Sequence, residues 1–191
     1  RKEEVNQGLT KEQAVTEAQR CLDCANPGCM TGCPVGIDIP RFIKNIERGE
    51  FLEAAKTLKE TSALPAVCGR VCPQEKQCES KCIHLKMNEK PVAIGYLERF
   101  AADFERESGQ ISVPVIANKN GIKIAVIGSG PAGLAFAGDM AVLCTDHHIL
   151  MDGGLVHAAL FQLLLGHAGV ENFGKEVSDR RPRGIGRILG S

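Results

Sequence analysis

The spacing of apolar positions changes several times along the chain, and each change marks an element. Thr10-Lys11-Glu12-Gln13 has the form of a capping box, so a helix is expected from about Lys11 to Arg20. From Cys21 to Pro34 the pattern lapses into Gly, Pro and Cys and reads as loop. Asp38 can cap the next helix, with Pro40 in its first turn. Phe42, Ile43 and Ile46 give that helix an apolar stripe, and Gly49 can end it. Phe51 to Lys59 repeats the helical period with Leu52, Ala55 and Leu58 inward. Pro91 opens a further helix through Val92, Ile94, Gly95, Leu97, Glu98 and Phe100 to about Arg106. Residues 1–107 are therefore expected to form an all-α unit.

Residues 108–120 are polar with one Pro and read as a linker. The pattern then turns to a largely apolar run, Ile122-Lys123-Ile124-Ala125-Val126-Ile127, expected as a strand buried on both faces. Gly128-Ser129-Gly130-Pro131-Ala132-Gly133 follows it directly, and a helix of small residues follows through Leu134, Ala135, Ala137 and Ala141. Strand, glycine turn and helix together open a doubly wound α/β fold, so 121–191 is expected to be a partial Rossmann-like segment. Gly128 would make the tight turn, Gly130 would let a pyrophosphate approach the backbone, and Gly133 would let helix pack on strand. Pro131 and Ala132 lie in the helix's first turn, whose N–H groups would meet the phosphates. His147 to Met151 can serve as a second strand. Asp152, nineteen residues after Gly133, stands near the distance of a ribose-binding acid. Leu155 to Leu165 is apolar and is expected as helix.

Composition removes several classes of function. Lys plus Arg and Asp plus Glu balance at 23 each, and there is no Trp and a single Tyr. Neither a basic surface nor stacking aromatics are on offer, so nucleic acid is not an expected partner. Hydrophobic residues make up 43% of the 191, enough for a core, yet no apolar run reaches the length of a membrane span. Arg1 to Glu4 does not begin a signal peptide. The expectation is a soluble cytoplasmic protein without a membrane partner.

Nine cysteines change the picture. Eight lie in two blocks, Cys21, Cys24, Cys29 and Cys33, then Cys68, Cys72, Cys78 and Cys82; Cys144 stands alone. In a cytosolic chain such clustering points to metal rather than disulfides. The first block is C-x2-C-x4-C-x3-C-P. In bacterial ferredoxin runs the fourth cysteine serves a different cluster from the first three. That logic gives Cys21, Cys24 and Cys29 to one cluster and Cys33 to another, with the second block, C-x3-C-x5-C-x3-C, completing both. Zinc is the rival, but most of these spacings suit its paired cysteines poorly. His147 and His148 beside Cys144 do not make a metal site, because neighbours on a strand point oppositely. The helical unit is then expected to be held by metal more than by a large core.

Several motifs carry a resemblance to a known family. Arg20-Cys21-Leu22-Asp23-Cys24, Cys33-Pro34-Val35, Asp38 to Ile43, Cys68-Gly69-Arg70-Val71-Cys72-Pro73-Gln74-Glu75 and Pro91 to Phe100 resemble the glutamate synthase small (beta) subunit family. The same α-helical ferredoxin-like di-cluster domain occurs in dihydropyrimidine dehydrogenase and in electron-bifurcating ferredoxin:NADP oxidoreductases. The similarity runs from about residue 3 to residue 141. It implies one [4Fe–4S] cluster on Cys21, Cys24, Cys29 and Cys82. It implies a second on Cys33, Cys72, Cys78 and a non-cysteine residue, here Glu98; in dihydropyrimidine dehydrogenase that residue is a glutamine. Read without the family, Glu98 is a solvated helix residue beside Arg99. Cys68 is then a spare buried thiol, or the fourth ligand if Glu98 is not one. Arg20, Arg41, Arg70, Lys76 and Lys81 flank the cysteines, either raising cluster potentials or as plain surface charge.

The resemblance also implies that Gly128 to Gly133 binds FAD, here a partial site at which low occupancy is expected, and that in the family electrons pass from NADPH through FAD and the clusters. Their acceptor would be the glutamate synthase large subunit or another electron-accepting subunit. Two other readings stay open: a non-catalytic iron–sulfur carrier or docking module, and a structural zinc domain. The family pattern breaks after about residue 141, and the Arg- and Gly-rich stretch from Gly174 resembles nothing in it. A complete nucleotide domain needs at least about 100 residues, more than follow Gly121, so no NADPH domain is expected in this sequence.

Overall fold

The computed structural model describes residues 4–113, 118, 120–127, 130–142, 146–151 and 154–157. Helix α1 spans Lys11–Gln19. Its capping box closes in both directions: the Gln13 N–H donates to Thr10 Oγ1 at 3.3 Å, and the Thr10 N–H donates to Gln13 Oε1 at 2.9 Å. The stretch read as loop contains one short helix, α2, Gly28–Thr31. Helix α3 is Ile39–Glu47, capped by Asp38, whose side chain accepts from the Arg41 N–H at 3.3 Å. Gly49 takes φ +78°, a left-handed conformation that suits glycine and ends the turn. Helix α4 is Phe51–Lys59; it buries Ala54, Ala55 and Leu58, while Leu52 is only half-buried.

Helix α5 covers Pro65–Val71, and single 3-10 turns follow at Gln74–Lys76, Glu79–Lys81 and Ile83–Met87. Helix α6 runs Ile94–Ser108, starting three residues later than Pro91 suggested. Its first N–H groups are capped by carboxylates distant in sequence. The Ala93 N–H donates to Glu17 Oε1 at 2.8 Å and the Gly95 N–H to Glu79 Oε1 at 3.2 Å. Side chains from α1 and from the second cysteine block therefore decide where α6 begins.

The helical unit has a hydrophobic core of its own. Ile39, Phe42, Ile43, Ile46, Leu58 and Leu97 are fully buried together with Ala14, Ala18, Ala54, Ala55 and Ala101. Each large side chain contributes about 1.5–3 kcal/mol when removed from water. Phe51 adds edge contacts to Phe100 and Phe104, with centroids 5.1 and 4.9 Å away. This core joins α1, α3, α4 and α6, includes Cys78, and has Cys29 and Met30 of α2 packed against it.

Beyond it, strand β1 (Lys123–Ile127), helix α7 (Pro131–Val142) and strand β2 (Asp146–Met151) form a parallel β-α-β unit, with Lys123 opposite Asp146. Val126 and Ala137 are buried there against Ile124 and Leu134. Strand β3 (Gly154–His157) pairs antiparallel with β2. This corrects the helix expected from Leu155: Leu155, Val156 and His157 are strand, and the rest of that segment lies outside the described residues. Met151 pairs with Gly154, so only Asp152 and Gly153 separate the strands in sequence, and Asp-Gly is the pair that favours a two-residue hairpin. Among the described residues no helix is long and apolar enough to cross a membrane.

Candidate functional site

The cysteines gather in two places. Cys21, Cys24, Cys29 and Cys82 line one cavity of about 150 Å3, walled by apolar Ile39, Ile43, Val92 and Ile94. Cys21 comes off the end of α1, Cys29 lies in α2, and Cys82 sits between two 3-10 turns. Gly28 closes this arrangement: a Cβ there would lie 2.8 Å from the Lys81 carbonyl oxygen, so α2 can abut the Lys81–Cys82 step only without a side chain. Burial, with Cys21 and Cys82 close by, pushes the Cys29 thiol up to about 11. Burial likewise raises Cys21, while Lys44 works against the rise. The Lys44 ammonium donates to the Cys21 carbonyl at 2.8 Å and pairs with Glu47 at 2.6 Å. Buried His84 stands between the two sequence blocks, Nε2 2.8 Å from the Arg20 carbonyl oxygen and Nδ1 2.7 Å from Glu89 Oε2.

The second gathering holds Cys33, Cys68, Cys72, Cys78 and Glu98. Burial first, then Cys68, Glu98 and Cys33, push the Cys72 thiol up to about 11. Burial, with Glu79, Cys33 and Glu98, pushes Cys78 up to about 12. Cys68 is raised by burial and by Glu98 and Cys33. The thiols thus influence one another within each gathering. Two glycines make the second one possible. A Cβ on Gly69 would lie 2.6 Å from the Arg99 nitrogen, and one on Gly32 would lie 2.6 Å from the Gln77 carbonyl oxygen.

Glu98 is not a solvated helix residue. It is 6% exposed, and burial pushes its carboxyl up to about 7. Its Oε1 is a buried side-chain oxygen with no hydrogen-bond partner among the described residues. Buried polar atoms are nearly always satisfied, so an orphaned carboxylate oxygen among thiols fits a position meant to meet a metal. Cys68 is half-buried rather than buried, with Sγ 3.9 Å from Ser62 Oγ. Among the described residues, no three Cys, His, Asp or Glu side chains close on one point as a single metal ion requires. Ligands of one zinc, each about 2.3 Å from it, must lie within roughly 4 Å of each other.

The flanking arginines are already committed. Arg20 holds Glu17 at 2.6 Å and the carbonyls of Lys90 and Pro91. Arg41 pairs with Glu60 and Asp38. Arg70 grips Asp103 with both nitrogens, at 3.1 and 2.7 Å, and also meets Glu4. Buried Arg99 shares Glu4 and Asp103, tying the N-terminal segment to α5 and α6 beside the second gathering. Lys76 and Lys81 are exposed. Sequence reasoning missed Lys44, His84 and Arg99. Lys44 and Glu47 stand three apart on α3, a visible pair, but nothing local shows that the ammonium reaches Cys21.

Of the glycine-motif residues, Gly130 precedes α7 and its carbonyl accepts from the Leu134 N–H at 3.0 Å. Pro131, Ala132 and Gly133 form the first turn of α7. A Cβ on Gly130 would meet no atom within 4 Å. Gly128 and Asp152, and likewise Cys144, lie outside the described residues.

A helical frame that gathers thiols from two sequence blocks in this way defines an iron–sulfur domain. The chain belongs to the family described as dihydropyrimidine dehydrogenase domain II, 4Fe-4S cluster, whose model matches residues 1–110. It is 43% identical over 133 residues to the NAD-dependent dihydropyrimidine dehydrogenase subunit PreT of Escherichia coli K12, covering 69% of this chain and 32% of that protein. It is 41% identical over 136 residues to the glutamate synthase [NADPH] small chain of the same organism, covering 70% and 28%. The corresponding Azospirillum brasilense chain is 32% identical over 146 residues, covering 76% and 30%. The chain thus spans about a third of the length of the curated relatives it matches.

Proposed function

We propose that the protein is an electron-transfer subunit of the NADPH-dependent glutamate synthase small-subunit type, passing electrons between FAD and a partner through two [4Fe–4S] clusters. Cys21, Cys24, Cys29 and Cys82 would hold one cluster; Cys33, Cys72, Cys78 and Glu98 would hold the other. The observation that carries this reading is the interleaving: each block of cysteines sends members to both gatherings. A single zinc has no use for that arrangement. When bound, a [4Fe–4S] cluster supplies a site that takes up and releases one electron.

The protein's own residues supply the environment. Ile39, Ile43, Val92 and Ile94 give the first site an apolar wall, and Lys44 places a positive charge beside Cys21, which would favour an added electron. Residues 1–107 would be the cluster domain, 108–120 a linker and 121–191 the flavin segment. Gly128, Gly130, Pro131, Ala132, Gly133 and Asp152 would contact FAD. The parallel β1–α7–β2 unit and the open space at Gly130 support that assignment. The electron acceptor would be a glutamate synthase large subunit or another partner subunit, since the relatives carry names such as "small chain" and "subunit".

The test is anaerobic purification followed by dithionite reduction and electron paramagnetic resonance, with flavin measured after denaturation. Two reducible four-iron signals and released FAD are expected. Clusters without flavin would favour a carrier or docking module, and stoichiometric zinc without a brown chromophore would overturn the reading.

A further inference from the structure

The second gathering contains one candidate ligand more than a four-iron cluster needs. Cys33, Cys72 and Cys78 account for three irons, leaving Glu98 and Cys68 at the fourth. A tight helix contact brings the backbone next to Cys68 against the backbone next to Glu98. Gly69, next to Cys68, would bring a Cβ to 2.6 Å of the Arg99 nitrogen and 2.8 Å of its Cα, so α5 meets α6 at the step from Glu98 to Arg99. The Gln74 amide donates to the Cys68 carbonyl at 3.1 Å and fixes that end of α5. Glu98 Oε1 is buried with no hydrogen-bond partner among the described residues, so it points to a ligand. Among the described residues the Cys68 thiol makes a weak contact, to Ser62 Oγ at 3.9 Å, which would not hold it back.

Resting on the reading above that this gathering holds a [4Fe–4S] cluster, we propose that Cys68 is an alternative ligand to Glu98 for its fourth iron. In the exchange an iron–oxygen bond to Glu98 breaks and an iron–sulfur bond to Cys68 forms. The thiol proton passes to the freed carboxylate, and no electron moves. The total charge of the corner stays the same, so the exchange buries no extra charge. Thiolate is the softer donor and the usual partner of cluster iron, while carboxylate is the harder one. The two ligations therefore give the site different potentials.

The test compares Glu98→Ala, Cys68→Ala and the double variant, each purified anaerobically. Iron is counted and cluster type is read by electron paramagnetic resonance and Mössbauer spectroscopy. Both single variants should keep about eight irons per chain, and the double variant should fall to about seven with the signal of a three-iron cluster. A three-iron cluster in either single variant would show a sole ligand and overturn the proposal. Four irons retained at this site in the double variant would overturn it too. The wild-type count separates the two levels, because fewer than about eight irons there defeats the two-cluster reading itself. A second measurement needs only a well-folded variant: ferricyanide oxidation should strip the fourth iron severalfold faster from Cys68→Ala than from wild type. Equal rates would overturn the proposal.

Discussion

The two thiol gatherings share one helical frame but are closed by different means. The first lies in loops after α1 and around α2, lines a cavity with four thiols, and has a lysine at its edge. The second is pressed against α6 and gathers four thiols, of Cys33, Cys68, Cys72 and Cys78, around a buried carboxylate. In both, a glycine lets backbone meet backbone: Gly28 on the Lys81 carbonyl in one, Gly69 on Arg99 in the other. The difference lies in what stands behind the contact. Lys81 belongs to a 3-10 turn outside the hydrophobic core, whereas Arg99 belongs to α6, whose neighbours Leu97, Phe100 and Ala101 are core residues. The second site is therefore seated through Gly69 on a core helix, whereas the first meets the core through the side chains of Ile39, Ile43, Val92 and Ile94.

The strongest test of that contrast is cluster removal. Chelation of the oxidised protein should leave the helical signal of α1, α3, α4 and α6 largely intact while residues 21–36 and 72–88 lose amide protection, because metal-held loops lose their shape without metal. Hydrogen exchange by mass spectrometry reads this directly. Collapse of all helices together would show that the core does not stand alone.

Glycine substitutions sharpen the comparison. Gly28→Ala should deplete iron from the first site only, and Gly69→Ala from the second only. Each should cost roughly 1–3 kcal/mol, the range for forcing extra atoms into a packed contact. Cluster-resolved spectroscopy separates the two, and equal loss from both sites in either variant would break the account.

A smaller effect is expected from Asp103→Ala. It leaves Arg70 and the buried Arg99 with Glu4 as their shared carboxylate, Arg70 keeping also the Ala66 carbonyl, so thermal or denaturant unfolding should show a loss of roughly 1 kcal/mol, less than the ~3–5 kcal/mol of a fully buried pair. Comparable in size is Thr10→Ala, which removes one half of the capping box of α1 and should cost about 1 kcal/mol without changing iron content.

What the sequence disclosed follows from how local each feature is. The cap of α1, the stripe of α3 and the whole of α4 depend on residues within one helical turn of each other, and they were readable. The start of α6 was not, because Glu17 and Glu79 set it from afar. The cysteine spacing indicated that two blocks share their ligands. It did not reveal that Glu98 is buried, since that depends on α5 seating Gly69 against α6, a contact far apart in sequence. Strand β3 was misread as helix because an apolar run carries no period of its own, although the Asp-Gly before it was a usable signal.

The central claim is that the two gatherings hold separate clusters. Anaerobic iron and acid-labile sulfide analysis on protein quantified by amino-acid analysis tests it most directly. The account predicts about eight irons and eight sulfides per chain. A count near four of each, or one zinc per chain in place of iron, would contradict it.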